Sequence, residues 1–515
     1  MSLVAGFMVP HPPLIVPNVG RGSEAEVEET IRSYERVAEE IAELKPETIV
    51  ISSPHSVMYA DYFHISPGAH ATGDFGNFRA PEVSFEVDYD ERFAFAWANH
   101  AAVNEIDAGV LGERDPHLDH GTMVPLYFIT KKYTDFKLVR IGLSGFSLST
   151  HYRMGMLVST VAEELNRRVV YVASGDLSHR LREDGPYGFN TYGPVYDERI
   201  MDVMGRGDFD ELMDFDEALC NHAAECGHRS FVMLAGALDR KRVRIERLSH
   251  QDVTGVGYGI CTYHVEGEDP SRNFLDKWEE RDRARRQEMK NAEDVYVRLA
   301  RKSLETNIRE GRRITWDEVR DEVIRGLGAV NGSYDSSESD SLKNSGMERG
   351  ECPDGNSAVS PYATEDGSAT EKAIEQLEHE TAGAFVSLHK EGKLRGCIGT
   401  ISATKGCVAD EIIENAISAS TRDPRFDPVI EDELPYLEYS VDVLGEAEPI
   451  KSPSELDVKR YGVIVTKGMR RGLLLPNLEG VDTVEEQLAI AKQKAGLTTE
   501  EKGCKLQRFE VVRHY

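Results

Sequence analysis

Residues 169–180, VVYVASGDLSHR, begin as an apolar run and end in small and polar residues. A parallel strand that is buried on both faces of an α/β sheet has this near-continuous apolar pattern. Ligands in such folds bind at the carboxyl ends of the strands. The stretch therefore predicts a central strand, with Asp176 and His179 at the edge of the sheet where binding sites form.

Similar apolar runs alternate with helical patterns from residue 1 to about 265. The helical patterns cover residues 24–44, 90–103, 154–166 and 227–238, and the strand-like runs between them include LVAGFMV, ETIVISS, FKLVRIGL and GYGICTYHV. Alternation of this kind favours an α/β domain whose central sheet is covered by helices on both faces. We assign this domain to residues 1–267.

The second half of the chain has a different pattern. Residues 268–292 are densely charged and predict an exposed linker helix. Residues 293–515 then predict a smaller α+β domain, with helical patterns at 293–308 and 316–326 followed by strand-like runs. The first two of these runs are predicted to be joined by a tight turn over KEGK (390–393). Within this domain, residues 332–371 are rich in Ser, Gly, Asp and Glu and predict a disordered insertion.

Composition excludes several classes of protein. The chain of 515 residues is 40% hydrophobic and 29% charged, and no apolar run approaches the ~18 residues that span a bilayer. A net charge of −30 argues against a nucleic-acid partner. Seven cysteines without a CxxC pair suit a reducing cytoplasm better than a disulfide framework. We therefore expect a cytoplasmic protein that binds neither membrane nor nucleic acid; its oligomeric state stays open.

Histidines stand where strand-like runs meet loops, at His11, His55, His120 and His179. If the strands are parallel, their carboxyl ends meet at one edge of the sheet, so several of these imidazoles face one crevice. Glu225 and Cys226 stand side by side at the start of an apolar helical run. Two imidazoles and one carboxylate are the set that suits non-heme Fe(II), with zinc as a competitor.

Five motifs occur in order along the first domain: HPPLI (11–15), SSPH (52–55), LDHGTMVPL (118–126), SGDLSH (174–179) and ECGHRS (225–230). Together they resemble the LigB-type class III extradiol dioxygenases and the related Memo proteins. The resemblance implies that His11, His55 and Glu225 are iron ligands. It also implies that His179 and His120 are an acid–base pair, with Asp119 orienting His120.

The third ligand is open to a second interpretation. Memo-like relatives place a cysteine near this position, so either Glu225 or Cys226 could complete the site. Glutamate, which we favour, suits Fe(II), whereas cysteine suits copper or zinc and a redox role. Asp176 is expected to cap or orient the turn before His179.

The second domain resembles the AMMECR family through LRGCIGT (394–400), STRDPRF (420–426) and RGLLLP (471–476). Alternation along a strand places Arg395 and Cys397 on one face. Cys397 could be a nucleophile, although a buried strand cysteine is the commoner case. Arg422 and Arg425 could bind an anionic ligand or pair with Asp423.

These observations favour an Fe(II)-dependent extradiol dioxygenase that opens a small catechol-like aromatic ring with O2. In that reading the AMMECR-family domain handles the same substrate or its product. One alternative is a Memo-like metal-binding or redox protein without oxygenase turnover. Another is a scaffold for a radical S-adenosylmethionine (radical SAM) protein, because the resemblance implies the AmmeMemoRadiSam set, in which such domains accompany a radical SAM partner.

Overall fold

A computed structural model describes residues 2–114, 117–325, 367–478 and 480–515. The chain divides into two compact units, Met1–Asp282 and Arg283–Tyr515. The division falls inside the helix Phe274–Ala292, within the segment that the sequence assigned to a charged linker helix. Each unit has its own hydrophobic core, as expected for a chain that is too long for a single core.

The N-terminal unit is an α/β domain, as the sequence predicted. Its strands are β1 (Leu3–Val9), β2 (Thr48–Ser53), β3 (Phe63–His64), β4 (His70–Phe75), β5 (Ala80–Asp88), β6 (Ala108–Gly109), β7 (Lys137–Gly142), β8 (Val169–Ser174), β9 (Lys241–Gln251) and β10 (Tyr258–Glu268). Its helices are α1 (Pro17–Gly20), α2 (Glu28–Leu44), α3 (Glu91–Val103), α4 (His120–Ile129), α5 (Leu148–Glu164), α6 (Tyr192–Arg206), α7 (Glu217–Ala223), α8 (His228–Ala237) and the first part of α9 (Phe274–Ala292), whose second part, from Arg283, belongs to the C-terminal unit.

The central sheet brings three strand ends to one level. Its order is β7-β2-β8-β1-β10-β9, in which β7, β2, β8 and β1 are parallel to one another, β10 is antiparallel to β1, and β9 is antiparallel to β10. Val9 on β1 lies opposite Ser174 on β8, and Ser52 on β2 lies opposite Ala173. The segments that follow β1, β2 and β8 therefore leave the sheet side by side.

Both faces of this sheet are covered, because successive side chains of a strand point to opposite faces. On β8, Val170 and Val172 belong to the core on the side of α2 and α4. Tyr171 and Ala173 belong to the core on the side of α5 and α8. Burial on both faces explains why the strand in the opening stretch is apolar throughout.

Helix α8 is held against α5 by a close backbone approach. A Cβ atom at Gly236 would lie 2.0 Å from the carbonyl oxygen of Tyr152, and one at Gly155 would lie 2.0 Å from that of Met233. Only glycine fits at such distances, so the two helices touch where neither has a side chain. This contact fixes the helix whose start carries the ECGHRS motif.

The C-terminal unit contains α10 (Val295–Glu310), α11 (Trp316–Arg325), α12 (Gly367–His379), α13 (Val408–Thr421) and α14 (Val484–Lys494). Its strands are β11 (Ala384–Lys390), β12 (Lys393–Gly399), β13 (Leu437–Leu444), β14 (Glu448–Ile450), β15 (Gly462–Lys467), β16 (Arg470–Leu474), β17 (Lys505–Phe509) and β18 (Val511–His514). They form two antiparallel sheets of order β12-β11-β13-β18 and β14-β17-β15-β16.

Two sequence predictions for this unit have different outcomes. The turn predicted between the first two strands is a two-residue hairpin loop, with positive φ angles of 52° at Glu391 and 75° at Gly392. The predicted insertion at 332–371 lies mostly outside the described residues. Its last part, 367–371, is instead the beginning of helix α12.

Among the helices of the described ranges, none combines the length and the apolar character that a membrane crossing requires.

We predict that Gly236→Ala destabilises the N-terminal unit by about 1–3 kcal/mol, because the added methyl group overpacks the α5–α8 contact. Gly205→Ala in α6 is the matched control: its Cβ would meet nothing closer than 3.8 Å. Removing a helical glycine there should be neutral or stabilising by up to about 1 kcal/mol. Calorimetric melting of the full chain measures both, and equal stabilities of the two variants would contradict the close contact.

Candidate metal centre

The site lies at the carboxyl ends of three neighbouring parallel strands. His11 follows the last residue of β1 by two positions, His55 stands in the same relation to β2, and Asp176 in the same relation to β8. Because these strands are parallel and in register, the three side chains come to one place. The predicted crevice is therefore formed by the elements that the sequence indicated.

Three potential metal ligands meet in this crevice. His11 Nε2 lies 3.0 Å from His55 Nε2 and 3.6 Å from Cys226 Sγ. The three donor atoms lie within 4.8 Å of one another. Nitrogen ligands about 2.0 Å from one tetrahedral ion lie roughly 3.3 Å apart, so these spacings suit a single transition-metal ion.

The structure brings Cys226, and not Glu225, to the two histidines, so its geometry favours the thiol over the carboxylate that the sequence analysis preferred. The Glu225 carboxylate accepts the backbone N–H of His228 at 2.6 Å, at the first turn of α8. Burial raises the pKa of Glu225 to about 7. Two adjacent side chains at the start of a helix point in different directions, and here the glutamate caps the helix while the thiol faces the histidines.

Asp176 ties the three segments of the site together. Its carboxylate accepts the backbone N–H of His11 at 2.7 Å, and its own N–H donates to Cys226 Sγ at 3.4 Å. Its carbonyl oxygen accepts the N–H of Gly227 at 3.1 Å. Burial raises the pKa of Asp176 to about 6. Asp176 therefore holds the segments that follow β1 and precede α8, whereas the sequence analysis expected it to cap or orient the turn before His179.

A hydroxyl fixes the tautomer of His11. Ser174 Oγ donates its one proton to the carbonyl oxygen of Gly121 at 2.6 Å. The 3.0 Å contact between Ser174 Oγ and His11 Nδ1 must then be donated by the imidazole. With its proton on Nδ1, a neutral His11 presents the lone pair of Nε2 to the crevice, the form that binds a metal.

Burial keeps the imidazoles of the crevice neutral. It is the largest cause of the lowered pKa values of His11 and His55, and His55 lowers the pKa of His11 further. Burial also raises the pKa of the Cys226 thiol. A metal would therefore find two neutral imidazoles and would have to displace the proton of the thiol.

His120 lies beside the donors without joining them. Its ring centroid is 4.0 Å from that of His55 and 5.4 Å from that of Phe78. Burial, together with His55 and His11, lowers the pKa of His120 to about 3. Its imidazole is therefore neutral at physiological pH.

Asp119 is the N-cap of α4, the helix that begins with His120. It accepts the N–H of Thr122 at 3.0 Å and the hydroxyl of Ser53 at 2.5 Å. Arg140, which is buried on β7, approaches its other oxygen at 3.5 Å. These contacts hold the first turn of α4, so Asp119 orients His120 through the backbone.

His179 has one ring nitrogen engaged and one available. Its Nδ1 contacts the carbonyl oxygen of Ala224, which can only accept, so this nitrogen carries the proton. In the neutral ring, Nε2 then keeps a lone pair. The exposed ring of Tyr187 packs edge-on against His179, with centroids 5.1 Å apart. The side chain is therefore placed to accept a proton beside an aromatic surface.

Sequence reasoning missed two glycines that let the site close. A Cβ atom at Gly175 would lie 2.1 Å from the Cα of Gly227, so the backbones after β8 and before α8 touch directly. This approach brings Cys226 next to Asp176. The glycines in SGD (174–176) and CGH (226–228) are the sequence feature from which this contact could have been predicted, because two backbones can approach so closely only at glycine.

The predicted residues of the second domain lie in the C-terminal unit and have mainly structural partners. Asp423 accepts the N–H of Cys397 at 2.9 Å and pairs with Arg425, whose Nη2 donates to the Cys397 carbonyl at 3.2 Å. Arg395 pairs with Glu433 at 2.8 Å, and Arg422 pairs with Glu414 at 2.9 Å. Burial raises the pKa of Cys397, so its thiol is protonated at neutral pH.

Comparison with known protein families divides the chain in the same way. Residues 5–261 match the family described as the catalytic LigB subunit of aromatic ring-opening dioxygenase. Residues 297–514 match the AMMECR1 family.

Relatives exist for the whole chain and for parts of it. Protein CA_C1420 of Clostridium acetobutylicum is 39% identical over 530 residues, covering 100% of this chain and 99% of its own. A Thermotoga maritima protein is 57% identical over 145 residues, which are 28% of this chain and 83% of that protein. The solved structure of the uncharacterized protein PH0010 from Pyrococcus horikoshii is 26% identical with a TM-score of 0.30, covering 42% of this chain and 88% of its own.

We predict that Cys226→Ser lowers the affinity for a transition metal at least about tenfold, because the variant loses the thiolate ligand. Glu225→Gln should retain the metal, since this side chain caps α8 outside the donor group. Cys220→Ser on α7 is the control for loss of a cysteine. Metal content after dialysis measures all three. Loss of metal in Glu225→Gln with retention in Cys226→Ser would restore the carboxylate as ligand.

Proposed function

Because the chain belongs to a family in which a LigB domain is followed by an AMMECR1 domain, we propose that its LigB domain is a metal-dependent oxidoreductase that opens a small catechol-like ring with O2. The observation that carries this proposal is the group formed by His11, His55 and Cys226, with two further imidazoles beside it. Imidazoles that lie beside a metal without binding it are suited to proton transfer.

The donor set fits a metal for reasons independent of the family. His11 is buried, neutral and held in the tautomer that exposes Nε2. A redox-active metal held there by His11, His55 and Cys226 would supply the electron transfer that lets O2 react with an aromatic ring. Iron is the metal expected from the LigB resemblance, and the thiol of Cys226 favours copper or zinc.

The protein's own contribution is proton transfer and positioning. Ring opening of a catechol first requires removal of a proton from a ring hydroxyl, and the free Nε2 of His179 can accept it. His120 is neutral and can hold a second hydroxyl by a hydrogen bond. Tyr187 and Phe78 lie against these two histidines and offer apolar surface to the ring of a substrate. Both oxygen atoms of O2 enter the product, so no external reductant is needed.

A second candidate function is metal binding or redox exchange without oxygenase turnover. The observation that favours it is the thiol of Cys226 at the position where the Fe(II) set has a carboxylate. The metal found after anaerobic purification, taken together with O2 uptake on a panel of catechols, separates the two candidates. A radical SAM partner rests on the resemblance alone and stays a prediction.

We predict that anaerobically purified protein contains a redox-active metal and takes up O2 with at least one member of a panel of catechols. His179→Ala should lower this rate by about 10²–10⁴, because a positioned acid–base group contributes that much, while metal content stays unchanged. His70→Ala, which removes an exposed histidine on β4, should leave the rate unchanged. An oxygen electrode and metal analysis measure both quantities.

Three outcomes would contradict this assignment. Full metal occupancy without O2 uptake on any catechol would favour the second candidate. Loss of metal in His179→Ala would make this residue a ligand. An unchanged rate in that variant would make it structural.

A further inference from the structure

The lining of a cavity of about 400 Å³ in the C-terminal unit includes five cations and one carboxylate, that of Glu305. Arg283, Arg286 and Lys290 enter it from α9, and Arg301 and Arg309 enter it from α10. The spacing of three and four residues along α9 places its three cations on one face of the helix. We call this the basic cavity.

Two of these cations have no acidic partner. Arg301 donates to Glu293 at 2.9 Å, and Arg309 pairs with Glu305 at 3.0 Å. Among the described residues, no carboxylate lies within ion-pair distance of Arg283 or Lys290. The chain has 90 acidic and 60 basic residues, so partners for cations are abundant. Glu293 and Glu305 offset the charges of Arg301 and Arg309, whereas the charges of Arg283 and Lys290 would be offset by an anion that enters the cavity.

One wall of the basic cavity suits a planar apolar group. The ring of Tyr436 is 43% exposed, and the guanidinium of Arg286 lies 4.9 Å from its centroid. Leu434 and Pro435 continue this wall. The cavity therefore combines cations that recognise an anion with an aromatic surface on which a flat ring can stack.

We propose that the basic cavity binds a small phosphate ester that carries a planar ring, as a nucleotide does. Guanidinium groups match the oxygens of phosphate in pairs, which gives both energy and orientation. A cavity of this volume has the size of a site for a small molecule. The net charge of −30 repels a long polyanion more than a small ester, so a nucleic acid is the less suitable occupant.

Calorimetric titration of the full chain with ADP tests this proposal. The double variant Arg283→Gln/Lys290→Gln should bind ADP at least about tenfold more weakly, because charge-assisted contacts to the phosphates are lost. Lys459→Gln/Lys502→Gln is the control, since it removes two exposed cations of the same unit outside the cavity. All four side chains are exposed, so melting temperatures should not change.

Binding of ADP that weakens with salt and fails only in the cavity variant supports the site. No binding of either ADP or pyrophosphate at millimolar concentration overturns it. An equal loss in both double variants would show a general charge effect, and binding of single-stranded RNA or an acidic peptide in place of ADP would show a macromolecular occupant. Because the readout involves neither metal nor turnover, this proposal and the oxygenase assignment can fail separately.

Discussion

The Asp176 carboxylate, buried and bound to the backbone of His11, is the interaction on which the geometry of the candidate metal centre depends. Through its side chain, N–H and carbonyl group it contacts the ends of β1, β8 and the turn before α8. These segments are far apart in the chain, since 165 positions separate His11 from Asp176 and 215 positions separate His11 from Cys226. Parallel strands bring these segments only to within several ångströms of one another. The contacts of Asp176 then fix the shorter spacing between donor atoms that a metal ion requires.

The two hydroxyls next to the site have a complementary role. Ser174 donates its proton to the carbonyl of Gly121 and therefore accepts the proton on Nδ1 of His11. Ser53 connects the end of β2 to Asp119, the N-cap of α4. Neither residue is charged and neither is a donor in the proposed set. The ring nitrogen of His11 that carries the proton therefore depends on whether the Ser174 hydroxyl donates or accepts a hydrogen bond there. The backbone carbonyl of Gly121 decides this, because it accepts the proton of Ser174.

The sequence predicted the parts of this arrangement that follow from periodicity. The apolar runs of β1, β2 and β8 predict buried parallel strands, and parallel strands place His11, His55 and His179 at one edge. Periodicity does not predict whether Glu225 or Cys226 faces the two histidines, because the direction of each side chain depends on the turn of a few residues before α8. The start of α5 illustrates the same limit: the helix begins at Leu148 and not near 154, since Ser147 caps a polar first turn that carries little hydrophobic pattern.

The hydrogen bonds that Asp423 and Arg425 form with the backbone of Cys397 affect how the C-terminal unit associates with other chains in a concentrated solution. Strand β12 lies at the border of its sheet, where unsatisfied backbone groups invite another chain to add a strand. At Cys397 both of these groups are already occupied, the N–H by Asp423 and the carbonyl by Arg425. The STRDPRF segment therefore covers these two groups, and loss of the Asp423 carboxylate would leave the N–H of Cys397 open to pairing with a strand of another chain.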